Sequence, residues 1–206
     1  LLFLVLLTFG ACSGPQTKVF YLNSYHVGYT PSDQVLESYV NETRGLINVR
    51  IVYMNSMTAT AEELPSLGEE VKAAIKIYEP DIVVATDDNA VKYVVEPYLK
   101  AGETQVLFAG VNNSAESYGL PAKNVTGIVE VAAVPQALDS LSNYFALKKL
   151  AVLTDKSTTA DLDKDYWQPI LNSQGYEVEY VQVADFQAWK QQLDSLNSRA
   201  DVIYLP

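Results

Sequence analysis

The sequence predicts an α/β chain wound into two lobes, each built around a parallel sheet, and three observations carry that expectation. Short apolar runs rich in Val and Ile, such as those at residues 82–85 and 106–109, suit strands buried on both faces. Between the runs lie amphipathic stretches of helical period, and strands alternating with helices imply parallel pairing through right-handed crossovers. After Glu130 the strand and helix pattern starts afresh, which divides the chain at that point.

In order, residues 18–23 (KVFYLN) form the first strand and residues 24–31 the loop after it. Ser32 or Asp33 caps a helix that carries Val35, Leu36, Tyr39 and Val40 at helical spacing and ends near Gly45. Residues 48–55 make the second strand. Residues 60–78 make a long helix with Leu64, Leu67, Val71, Ala74, Ile75 and Tyr78 on one stripe, stopped by Glu79-Pro80. Strands three and four follow at 82–85 and 106–109, with a helix at 90–100 between them. Each ends in a polar cluster, Thr86-Asp87-Asp88-Asn89 and Gly110-Val111-Asn112-Asn113-Ser114.

Residues 125–131 are extended and apolar, and read as a hinge strand between an N-terminal lobe, 18–130, and a second lobe, 131–206. The second lobe takes helices at 135–144, 159–174 (closed by Gly175) and 186–196, with strands at 149–154, 176–183 and 201–205. Three strands are few for such a lobe, so it is expected to be incomplete.

With 206 residues, 49% of them hydrophobic and 19% charged, the composition supports a sizeable core. The net charge of -11 opposes binding to a phosphate backbone, so nucleic acid is not an expected partner. Fourteen Tyr residues give the chain many rings suited either to packing or to a binding surface. Residues 1–11, LLFLVLLTFGA, have the length of a signal-peptide apolar region and are too short to span a bilayer. Gly10 and Ala11 before Cys12 resemble the lipobox of bacterial lipoproteins, although Phe9 stands where that motif prefers Leu. Residues 1–12 are therefore expected to be the end of an export signal, its start missing, with Cys12 as the lipidated residue.

In open parallel sheets, ligands bind outside the carboxyl ends of the strands. Ser24, Asp88, Asn89, Asn112, Asn113, Ser157 and Thr158 fall at such ends, where helix N-termini offer free backbone N–H groups suited to a carboxylate or another anion. Asp155 follows the strand at 149–154, just before Ser157. Tyr25 and Tyr29 could supply a stacking surface, and Asp87 or Glu130 could meet an ammonium group or hydroxyls. Each has a structural alternative: Asp88 and Ser32 as helix caps, Asn112-Asn113 as turn residues, Tyr25 as packing, Glu130 as a solvated charge.

Four motifs in order, Asn23-Ser24-Tyr25-His26 with Gly28-Tyr29, Thr86-Asp87-Asp88-Asn89-Ala90, Phe108-Ala109-Gly110-Val111-Asn112 and Val125-Thr126-Gly127-Ile128-Val129-Glu130, are together similar to the ABC-transporter substrate-binding family with the type I periplasmic binding-protein fold. The resemblance covers residues 18–206. It implies two Rossmann-like lobes joined by hinge strands and closing on a small solute, an aromatic amino acid in some members, for an ABC permease. It also implies an exported protein, periplasmic or at the cell surface, which the lipobox would anchor to a bacterial membrane. Related domains serve as extracellular sensors of membrane receptors, which is the alternative role.

An enzyme is not expected. No G-x-S-x-G elbow marks a nucleophile, and the lone His26 and lone Cys12 leave only carboxylate pairs such as Asp87-Asp88 for a metal. Neither a Walker A nor a G-x-G-x-x-G pattern occurs, so no cofactor is expected.

Overall fold

The computed structural model describes residues 16–206. The expected export signal, residues 1–12, lies outside the described residues. The first part of the chain runs β1 (Thr17–Asn23), α1 (Thr30–Glu42), β2 (Ile47–Tyr53), α2 (Leu64–Tyr78), β3 (Ile82–Thr86), α3 (Asp88–Ala90), β4 (Gln105–Asn112) and β5 (Val125–Glu130). Then come α4 (Val134–Ser142), β6 (Lys149–Asp155), α5 (Thr158–Ser173), β7 (Glu177–Val183), α6 (Phe186–Leu196) and β8 (Val202–Tyr204). Every strand pair is parallel. The strands form two sheets, one of order β2-β1-β3-β4-β5 and one of order β7-β6-β8.

The central strands are apolar on both sides because helices cover both. On one side α1 brings Leu36 against Val19, Tyr21 and Val84. On the other, α2 and the π-helix after α3 (Val91–Leu99) bring Val71, Ile75, Val91, Val94 and Val95 against Phe20, Leu22, Val83 and Ala85. Gly68 lets these two helices touch: a Cβ there would lie 2.2 Å from the Tyr93 carbonyl oxygen. The second sheet has its own core, in which Leu150, Trp167 and Leu171 pack with Val134 and Leu138 of α4.

The register aligns the strand ends. Asn23 pairs with both Tyr53 and Thr86, and Thr86 pairs with Ala109. The order β2-β1-β3 means that the chain leaves β1 toward one side and returns to β3 on the other. Between β1 and β3 the connections diverge, and there the strand ends open into a crevice.

Several local expectations are corrected. The first helix starts at Thr30 with Pro31 in its first turn, so neither Ser32 nor Asp33 caps it. Instead Asp33 Oδ2 accepts the Gly28 N–H at 2.8 Å, and Ser32 bonds Asn23. The second helix starts at Leu64 rather than residue 60. After Asp88–Ala90 the chain widens into a π-helix, Val91–Leu99, in which Pro97 sits and the Lys100 N–H reaches the Val95 carbonyl.

The fourth strand runs past Gly110 to Asn112. Gly110, at φ +71°, breaks the ladder between Phe108 and Val111 and lets pairing resume. Nor is this strand buried on both faces, since Leu107 is 44% exposed. Val125–Glu130 is the paired edge strand of the first sheet, hydrogen-bonded to β4, and the link to the second sheet shortens to residues 131–133 before α4.

Candidate functional site

The loops after β1 and β2 are laced together before any side chain is considered. The Met54 N–H donates to the Asn23 carbonyl, Asn55 N–H to that of Tyr25, and Ser56 N–H to that of Ser24, at 2.7, 3.1 and 2.9 Å. This holds Ser24 and Ser56 side by side, both buried, with their hydroxyls 3.3 Å apart. Asn89 Nδ2 donates to the same Ser56 hydroxyl at 3.1 Å, while Asn89 Oδ1 is buried without a partner.

Across the β1/β3 crevice the Tyr25 hydroxyl donates to Asp87 Oδ2 at 2.5 Å. The Tyr25 ring also leans on Tyr29, with centroids 4.3 Å apart, which makes an aromatic ledge beside the carboxylate. Asp87 sits at φ +75°, outside the regions a side chain prefers, with its N–H bound to the Ala109 carbonyl at 2.8 Å. It, and not Asp88, caps α3, since its Oδ1 accepts the Asp88 N–H at 2.7 Å. Burial, then the neighbouring Asp88 charge, raises the Asp87 carboxyl from 3.8 to about 6, against the lowering effect of its two hydrogen bonds. Burial next to Asp87 likewise pushes the Tyr25 hydroxyl up.

Asp88 is buried behind Asp87. Its Oδ2 accepts Asn112 Nδ2 at 2.5 Å and its Oδ1 accepts the Tyr118 hydroxyl at 2.9 Å. Burial raises this carboxyl and those two donors hold it back. Asn112 is thus committed to Asp88 and is no mere turn residue. Asn113, left-handed at φ +60° and buried, anchors its N–H on the Glu130 carbonyl at 2.7 Å. Its Nδ2 reaches out of the first sheet's lobe to Asp163 Oδ1 on α5, at 2.5 Å. The Glu130 side chain is exposed at the rim.

The second sheet's candidates are engaged locally. Ser157 caps α5 by accepting the Ala160 N–H at 3.2 Å, and its hydroxyl donates to Asp155 Oδ1 at 3.1 Å. Asp155 is exposed, and Thr158 opens the helix. The structure therefore gathers Ser24, Tyr25, Asp87, Asp88, Asn89, Asn112 and Asn113 around one crevice, with Glu130 at its edge. Asp155 and Ser157 stay within their own turn. Ser56, Tyr118 and Asp163 join the cluster without any sign in the sequence motifs. Ser56 is brought in by the β2 loop, Tyr118 by a 3₁₀ turn (Ala115–Tyr118), and Asp163 by the far lobe.

Chemically, the crevice offers carboxylates, hydroxyls, amides and two rings, a set that holds hydrogen-bond donors. The His26 ring lies 6.0 Å from that of Tyr29, and its Nδ1 is buried without a partner. Among the described residues no group of three or more His, Cys, Asp and Glu is placed to hold a metal ion. A cavity of about 450 Å³ lies at the opposite end of the second sheet, lined by Lys149, Glu177, Glu179 and Arg199. The charges there neutralise one another in exposed ion pairs, Lys148–Glu177 and Arg199–Glu179, which leaves the crevice as the stronger candidate.

No protein-family pattern matches the chain, and no curated protein does. Solved structures do match. A domain from Streptococcus pneumoniae, described as an ABC domain in complex with L-Trp, aligns with a TM-score of 0.66 at 17% identity over 93% of this chain. The fold is that of the type I periplasmic solute-binding proteins. A substrate-binding protein with adhesive properties from Clostridium difficile, in its ligand-free, open form, aligns at 0.60 and 16% over 92% of this chain. A leucine-binding protein from Thermotoga maritima aligns at 0.65 and 15%, also over 92%. The chain spans 65% of the length of the first two and 55% of the third. Among the described residues no helix is long and apolar enough to cross a membrane.

Proposed function

We propose that this chain belongs to an exported solute-binding protein that captures a small molecule in the β1/β3 crevice and presents it to an ABC permease. One observation carries the reading: Tyr25 and Asp87, from strands on either side of the point where the strand order reverses, meet at 2.5 Å. The lobes of residues 18–130 and 131–206 close on the solute by movement at residues 131–133, and the closed form is favoured by as much as the solute binds it better. Cys12 carries the lipid that tethers the protein to its membrane.

The solute carries an ammonium group beside an apolar or aromatic body. Asp87, Asp88, Glu130 and Asp163 line or rim the crevice, and none takes part in an ion pair formed among the described residues. A bare carboxylate would meet repulsion there, whereas an ammonium group would be held. The Tyr25–Tyr29 ledge offers a ring a surface to stack on. The second lobe adds Asp155, Ser157 and Thr158 at its strand end.

The test is a thermal-shift screen of the complete mature protein against L-Trp, L-Tyr, L-Phe, L-Leu, the corresponding amines and 4-hydroxybenzoate. A ligand present at a hundred times its Kd stabilises the native state by about 2.7 kcal/mol, which is visible as a higher Tm. An amine-bearing ligand is expected to raise Tm in the native protein and to do so less in Tyr25→Ala. A response to 4-hydroxybenzoate alone would reverse the assignment of charge.

A further inference from the structure

Helix α5 brings the two sheets' lobes together. The first turns of α5 meet the α3 and β4 strand-end region, and Leu162 of α5 packs against the large hydrophobic cluster of the first lobe. Next to Leu162, Asp163 Oδ1 accepts the Asn113 side-chain N–H at 2.5 Å, across a separation of 50 residues in sequence. We propose that the Asn113–Asp163 hydrogen bond is the latch between the lobes, setting how far the crevice stands open before any solute arrives.

Asn113 is a fixed donor. Its backbone is held in the left-handed region by the bond from its N–H to Glu130 on the edge strand, and the residue is only 6% exposed. Asp163 is a fixed acceptor, because its own carbonyl receives the Tyr180 hydroxyl at 3.4 Å and its helix is pinned by the buried Trp167. Two side chains already immobilised lose little entropy on pairing, so the bond contributes more than an exposed pair would. Its position decides its role. Asn113 follows Asn112, which holds Asp88, so the latch lies at the crevice itself and any shift of α5 is felt there. Leu162 supplies contact area without direction, while the Asn113–Asp163 bond fixes where α5 stops.

The inference rests on the two-lobe reading but needs no solute for its test. Small-angle scattering and amide hydrogen exchange are measured on the ligand-free full chain for wild type, Asp163→Ala, Asp163→Asn and Asn113→Asp, with circular dichroism confirming the fold. Asp163→Ala is expected to enlarge the radius of gyration and to speed exchange in the first turns of α5 about fivefold, the ratio that one typical hydrogen bond gives. Asp163→Asn keeps an acceptor and should match wild type, whereas Asn113→Asp sets two carboxylates face to face and should open the lobes at least as far as Asp163→Ala. Wild-type scattering and exchange in both Asp163→Ala and Asn113→Asp would overturn the latch and leave solute binding untouched. So would Asp163→Asn opening as far as Asp163→Ala. Should Asp163→Ala fail to fold, Asn113→Asp alone decides.

Discussion

Replacing Asp87 with Asn removes one ionisable group from the crevice and so isolates what keeping it there costs. The carboxyl titrates at about 6 in the folded protein against 3.8 as the ordinary value, with burial as the main cause. Between those two pH values the unfolded chain has already released its proton while the folded chain still holds it. The native state therefore binds more protons, and its stability falls as pH rises through this window. At about 1.4 kcal/mol per pH unit of displacement, the fall amounts to about 3 kcal/mol. Asp87→Asn abolishes that slope. Asn keeps an acceptor for either the Tyr25 hydroxyl or the Asp88 N–H but not both, so about 1 kcal/mol is lost at every pH. The variant is thus expected to be less stable than wild type near pH 4 and more stable, by about 2 kcal/mol, near pH 7.5. Urea unfolding of both proteins at half-unit steps from pH 4 to 8 measures the difference directly. A wild-type-minus-variant stability that does not change with pH would refute the claim that Asp87 is held partly protonated by its surroundings.

Gly127→Ala should destabilise the protein by at least about 2 kcal/mol in the same assay, because crowding a packed site forces backbone to move; the new Cβ would lie 2.1 Å from the Phe108 carbonyl oxygen and 2.5 Å from its ring. Asn112→Ala and Tyr118→Phe each strip one donor from the buried Asp88, at a cost of about 1–3 kcal/mol apiece. Because they serve the same carboxylate, the double variant should depart from additivity, and a strictly additive denaturation cycle would count against a shared role. Ser56→Ala should lower melting by only a few degrees yet weaken solute binding in calorimetry, since it frees Asn89 and Ser24 from the hydroxyl that orders them.

The periodic elements were legible because tertiary context agrees with local pattern in them. Val19 to Leu22 and Val83 to Ala85 are apolar at every position, and they lie between helices that cover both faces. At β4 the local reading failed: Leu107 stays partly bare although its residue type is that of a core strand. The π-helix from Val91 to Leu99 was illegible for another reason: its apolar spacing fits an ordinary helix, and the widening becomes visible only in the backbone bonds. The crevice was half legible. Polar residues at strand ends pointed to Ser24, Tyr25, Asp87 and Asn112, but only the fold could bring Ser56, Tyr118 and Asp163 from elsewhere in the chain. Motif order likewise could not tell which of two adjacent aspartates caps α3. That depended on the φ of Asp87, which its bond to Ala109 fixes.

The sheet order β2-β1-β3 recurs in the second sheet as β7-β6-β8, with β6 in the place of β1. The loop after β1 bears Tyr25, His26 and Tyr29, while β6 ends on Asp155 and the loop after it bears Lys156 and Ser157. On the proposed closure, a guest lodged between the two loops would meet rings on one wall and charged and hydroxyl groups on the other, and a molecule alike at both ends would leave one wall unsatisfied whichever way round it entered.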